Sequence, residues 1–104
     1  MVMVDMQCGE NNMTLNEFID QIDSFDEEYT IYVKKPWKPD SETIIAAEPI
    51  EGGIPEDAVK INAEYFLEIF LAKEFLEGWI LSVNNNPSVK EKCLRLIEYA
   101  ENDA

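Results

Sequence analysis

Carboxylates are the one class of chemically active side chain this sequence holds in quantity. It has 22 Asp and Glu against 8 Lys and Arg, with no His, for a formal charge of −14. Their placement is uneven. No Lys or Arg occurs before Lys34, while Asp5, Glu10, Glu17, Asp20, Asp23, Asp26, Glu27 and Glu28 all fall in that stretch. Paired carboxylates can cleave a glycosidic bond, but among 22 some pair always has a suitable separation, and a domain this small offers little room for a substrate cleft. Asp20, Asp23, Asp26, Glu27 and Glu28 are oxygen ligands of the kind calcium takes, yet the segment lacks the central Gly and terminal Glu of a calcium loop. Zinc needs His or Cys clusters, and none exists. Without His, Ser–His and Cys–His nucleophile pairs are impossible. Gly52-Gly53 is not followed by Lys-Ser/Thr and opens no strong helix, so it reads as a turn and not as a phosphate loop. No metal, cofactor or enzymatic activity is expected.

What the acidic run can do is attract a cation-rich surface. A solvated helix face followed by a charged turn would account for Asp20–Glu28. An ordinary surface mixes both signs, however, and the lack of any cation before Lys34 favours an electronegative docking patch. Asp20, Asp23, Asp26, Glu27 and Glu28 are therefore the expected steering and contact charges. Trp37 is a second candidate contact residue, in a Pro-bounded loop flanked by Lys35 and Lys38. It either packs back onto the sheet or, if exposed, anchors an interface as aromatic residues do.

Composition narrows the partner. Eight scattered cations among 22 anions form no basic patch, so neither a phosphate backbone nor an anionic membrane is an expected partner. Glu68, Lys73 and Glu74 interrupt the richest apolar stretch, which cannot span a bilayer. The start, Met1-Val2-Met3-Val4-Asp5, has no basic n-region and does not read as a signal peptide. Cys8 and Cys93 form no disulfide framework. Cys93 reads as a core thiol on the stripe of the last helix, and Cys8 as an incidental surface thiol. A cytoplasmic protein is the expectation.

The elements that must position these groups are legible in part. A chain of 104 residues makes one domain, and 46% hydrophobic with 11% aromatic residues is enough to build a core despite the charge. Residues 1–12 read as a flexible extension, with Met13-Thr14 as an alternative start. Thr14-Leu15-Asn16-Glu17 is a capping box, and Leu15, Phe18, Ile19 and Ile22 form an apolar stripe, so a helix should run to near Ser24. Residues 29–33 and 43–47 are β-branched and apolar strand candidates. Pro36 and Pro39 make the segment between them a loop joining a hairpin. Pro55 opens a short helical turn through Ala58.

The stretch Tyr65–Phe70 is apolar all round if helical. It is assigned to a buried strand over 64–70, followed by a helix over 71–83 whose inner face is Leu71, Ala72, Phe75, Leu76, Trp79 and Val83. One continuous helix from Ala63 is the alternative. Gly78 costs about 1 kcal/mol inside a helix, which points to a packing reason or an early end. Asn84–Pro87 is a turn, and Ser88-Val89-Lys90-Glu91 is a second capping box. It opens a helix striped by Val89, Cys93, Leu96, Ile97 and Ala100. The expected fold is a single α+β domain over 13–104: an N-terminal helix, a two- to three-stranded, mostly antiparallel sheet, and two C-terminal helices packed on it.

The tract Glu64–Trp79 (EYFLEIFLAKEFLEGW) and the ending Leu96–Ala104 (LIEYAENDA) resemble small bacterial proteins of uncharacterised function. Small size, strong acidity, one α+β domain and no catalytic set resemble the immunity proteins of bacterial contact-dependent growth inhibition and polymorphic toxin systems. That resemblance implies a tight inhibitor of a toxin domain, often a basic nuclease, that blocks its active site or an exosite. It carries over no individual residue. The rival expectations are an adaptor or regulatory subunit of a non-toxin bacterial complex, and an inhibitor that mimics nucleic acid.

Overall fold

Thr14 starts the fold with the capping box its sequence announces. The Glu17 amide donates to Thr14 Oγ1 at 3.1 Å and the Thr14 amide donates to Glu17 Oε1 at 2.9 Å. A computed structural model describes residues 13–83 and 85–103; the extension assigned to residues 1–12 lies outside them. Helix α1 (Leu15–Asp20) buries Leu15, Phe18 and Ile19. It stops four residues short of the expected end. The last turn tightens to a 3-10 turn over Ile22–Ser24, with the Ser24 hydroxyl donating back to the Gln21 carbonyl at 2.7 Å. Such tightening satisfies carbonyls that a helix end otherwise leaves free.

Strand β1 (Met13–Thr14), β2 (Thr30–Lys34), β3 (Glu42–Ala46) and β4 (Ala63–Glu68) make one antiparallel sheet in the order β1-β3-β2-β4. The β2–β3 hairpin forms as expected, with Ile31 opposite Ile45 and Val33 opposite Thr43. Its loop is tied down by Ser41, whose hydroxyl accepts from the Lys38 amide and donates to the Pro36 carbonyl, each at 2.9 Å. The sheet has four strands where two or three were expected. The extra one, β1, is two residues long, too short to carry any periodicity.

Strand β4 and helix α3 (Ile69–Val83) meet without a loop. The break falls two residues earlier than the sequence places it, and a continuous helix from Ala63 does not form. The Ile69 amide, the first of the helix, still donates to the Tyr29 carbonyl at 3.0 Å. The sheet therefore holds the helix start. Ala72 and Leu76 face the core with Phe75 and Trp79 partly covered, while Val83 is exposed, so the inner face is narrower than expected. Helix α4 (Val89–Asp103) opens on the second capping box, with Ser88 and Glu91 exchanging bonds of 2.8 and 3.1 Å.

The sheet has two unequal layers. Ile31, Val33, Phe66 and Leu67 join α1, α3 and α4 in the main core around Phe18, Ile69, Cys93 and Leu96. On the other face the short helix α2 (Glu56–Lys60) covers Tyr32 and Ala63 with Ala58. A register shift between Ile31 and Tyr32 marks a bulge, which leaves Phe66 as an extra residue opposite them. Phe66 and Leu67 can then both turn to the main core, and Glu68 pairs with Thr30 on the far face.

Candidate protein-binding surface

The five acidic candidates follow one another around one end of the sheet. Asp20 ends α1, Asp23 sits in the 3-10 turn, and Asp26, Glu27 and Glu28 occupy the loop leading into β2; all are exposed. The loop is ordered by its own side chains, since Asp26 Oδ1 accepts the Glu28 amide at 2.9 Å. Short Asp side chains favour such turns because they replace a backbone acceptor. Among the described residues one cation reaches this end. Lys73 on α3 places its Nζ 2.9 Å from Glu27 Oε2 and 3.6 Å from Asp23 Oδ1. The hydrogen bond it donates to Glu27, with the nearby negative charges, holds the Lys73 ammonium above its ordinary pKa. Among the described residues no ion pair engages Asp20, Asp26 or Glu28; the others are Lys34–Glu42, Lys35–Glu64 and Arg95–Glu98.

Trp37 lies apart from this set, at the opposite end of β2, about 13 Å of strand away. It packs back onto the fold. Its Nε1 donates to the Val33 carbonyl at 3.0 Å, and its ring meets Phe66 edge-on with centroids 4.9 Å apart. Lys35 Nζ stands 4.9 Å from the indole ring centre. The ring is half-buried rather than freely displayed.

Two further carboxylates join the acidic end through folding. Glu48, just beyond β3, and Glu68, at the end of β4, line a cleft of about 370 Å³ with Glu27, Glu28, Thr30 and Phe70. In the sequence Glu68 reads only as an interruption of an apolar tract. What brings it here is the bulge at Phe66, which puts Glu68 on the Thr30 face. Phe70 is 44% exposed, although it belongs to the most apolar stretch of the chain.

Beside the cleft lies Tyr32, 1% exposed, whose hydroxyl has no hydrogen-bond partner. Burial raises its pKa first, then the charge of Glu48, with a smaller rise from Glu68. Thr30 is close enough to favour the phenolate, but the pair does not complete a hydrogen bond. Tyr65, opposite Tyr32, is raised by burial and by Glu68 and Glu48 as well.

Among the described residues no group of three or more Asp, Glu or Cys is placed to hold a metal ion. Cys93 is fully buried, and burial pushes its thiol up to about 12. Cys8, Asp5 and Glu10 lie outside the described residues. No helix among those described is long and apolar enough to cross a membrane. No protein-family model, curated protein or solved structure matches this chain.

Proposed function

We propose that the chain is a non-catalytic inhibitor that binds a protein, an immunity protein that captures and neutralises a basic, nuclease-like toxin domain in the cytoplasm. The observation that supports this most directly is the continuous acidic end. Asp20, Asp23, Asp26, Glu27 and Glu28 are all exposed there, and Lys73 is the one cation in contact with them among the described residues. Fixed charge of one sign, gathered on one end of a small domain, speeds encounter with an oppositely charged surface by about 10- to 1,000-fold at low salt. Trp37, half-buried at the other end of β2, is a secondary contact at most.

The test is kinetic. A toxin domain encoded immediately upstream is mixed with the protein, and its association rate and residual activity are measured from low to high salt. The expected result is stoichiometric loss of toxin activity, with association slowing at least tenfold as salt rises. Neutralising Asp20, Asp26 and Glu28 together should reproduce the high-salt rate at low salt. An association rate indifferent to salt removes the electrostatic role. Binding with no loss of toxin activity would point instead to an adaptor or regulatory subunit.

A further inference from the structure

The two tryptophans of this chain line two clefts that share a residue, Glu101. The larger, of about 510 Å³, runs along α4 from Glu91 to Glu101, with Trp79 of α3 as its other wall. Its apolar lining is Trp79, Leu94 and Ile97, and Leu94 is 49% exposed. The smaller, of about 320 Å³, continues past Glu101 and Ala100 to Pro36 and Trp37. A lone exposed leucine is ordinary. One that shares a cleft with a half-buried tryptophan has the make-up of an interface anchor. Trp37 gives its indole N–H to the Val33 carbonyl, whereas no such bond holds Trp79 among the described residues. None of Asp20, Asp23, Asp26, Glu27 and Glu28 lines either cleft, so this groove lies apart from the acidic end.

We propose that the groove is a second docking surface and that it receives an amphipathic helix of a partner protein, apolar on the face against Trp79 and Leu94 and basic on the side that meets the carboxylates of α4. Glu91, Glu98 and Glu101 edge the larger cleft against one cation, Arg95, which is already spent on Glu98 at 2.8 Å and on the face of Phe75. Lys35, in the smaller cleft, is paired with Glu64. The last turn of α4 carries no basic residue, so the partial negative charge of its terminal carbonyls adds to that of Glu98 and Glu101. A second copy would set another chain of charge −14 against these carboxylates, which disfavours it as the occupant. The walls of the larger cleft are helices, whose backbone groups bond within the helix. A strand therefore finds no edge to join, and recognition falls to side chains. The Glu91–Glu101 span of α4 is about 15 Å long, which matches a few turns of a guest helix anchored at i, i+4 and i+7. The groove asks only for this chemistry, whether or not the partner is a toxin.

The experiment titrates the full chain with a synthetic helical peptide of leucine and lysine, its leucines gathered on one face, and follows tryptophan emission, since both indoles line the groove. One control peptide has the same composition in an order that breaks the stripe. Another carries glutamate in place of lysine. The expected result is a saturable blue shift, with the striped basic peptide binding at least tenfold more tightly than either control. Leu94→Gln should abolish that preference without lowering the melting temperature, and Glu98→Gln with Glu101→Gln should weaken binding severalfold. Neutralising Asp20, Asp26 and Glu28 together should leave the preference for the striped peptide intact. Equal binding of striped and reordered peptides, indifference to Leu94→Gln, or a preference lost with the acidic end would overturn the proposal. So would a dimer in sedimentation that Leu94→Gln disperses, because a second copy would then hold the groove. The two readings fail separately. Salt-sensitive toxin capture without any peptide preference removes the groove and leaves the acidic binder. Peptide preference in a protein that leaves its toxin active removes the inhibitor and leaves a helix-binding groove.

Discussion

Cys93 has no exposed surface, and its thiol is raised from 9.0 to about 12 by burial alone. The thiolate is the reactive form, so in a Cys8→Ser background Cys93 should resist alkylation until the protein unfolds. Labelling at the native rate of a free thiol would contradict its place in the core. The same shift sets a pH dependence. A group with a raised native pKa binds its proton more tightly in the folded state, so its contribution is complete below pH 9 and is lost as pH climbs from 9 towards 12. Tyr32, Tyr65 and Lys73 are shifted upward too, so they add in the same direction from their ordinary values of 10.0 and 10.5 upward. Urea unfolding should show stability falling with pH above 9, by up to about 1.4 kcal/mol per pH unit as Cys93 titrates. Cys93→Ala should flatten the first part of that fall. At Lys73 the expectation is smaller. Lys73→Gln frees Asp23 and Glu27 from an ion pair at the surface, where such pairs contribute little, so unfolding should change little while association with the proposed basic partner speeds up.

The two capping boxes are the clearest case of sequence becoming structure at the level of elements. Thr14 with Glu17 and Ser88 with Glu91 each satisfy two otherwise free amides at a helix start. Thr14→Ala and Ser88→Ala should each destabilise by about 1 kcal/mol in chemical denaturation. Gly78 goes the other way. Helix α3 runs through it to Val83, and a Cβ built there meets nothing within 4 Å, so no packing among the described residues requires glycine. Gly78→Ala should stabilise the protein by roughly 1 kcal/mol; a loss would mean that the site packs against a partner or a second copy. Helix starts were legible because capping is local chemistry written in four consecutive residues. The hairpin was legible because Pro36 and Pro39 mark the loop between β2 and β3. The cleft was not, because Glu28, Glu48 and Glu68 come from three separate segments and meet only through strand register. The bulge at Phe66 breaks the alternation that would have told which way Glu68 points. Trp37 was ambiguous because its decisive contacts, the Val33 carbonyl and the Phe66 ring, depend on how the loop folds over the sheet.

A formal charge of −14 on 104 residues repels itself throughout the molecule. The ion pairs among the described residues join exposed or partly exposed side chains, and such pairs offset little of that repulsion. Salt shortens the reach of each charge from about 10 Å at 0.1 M to about 3 Å at 1 M. Added sodium chloride should therefore raise the melting temperature while it slows association with the proposed basic partner. A melting temperature that fell with salt would mean that the ion pairs outweigh the repulsion. These opposite responses distinguish a charge kept for encounter from one kept for stability. The joint between β4 and α3 has a mechanical consequence. With no linker between Glu68 and Ile69, and with the Ile69 amide held by Tyr29, Glu68 and Phe70 ride on a stiff elbow. A displacement of the strand end is therefore passed straight into the first turn of the helix, with no slack between them to absorb it.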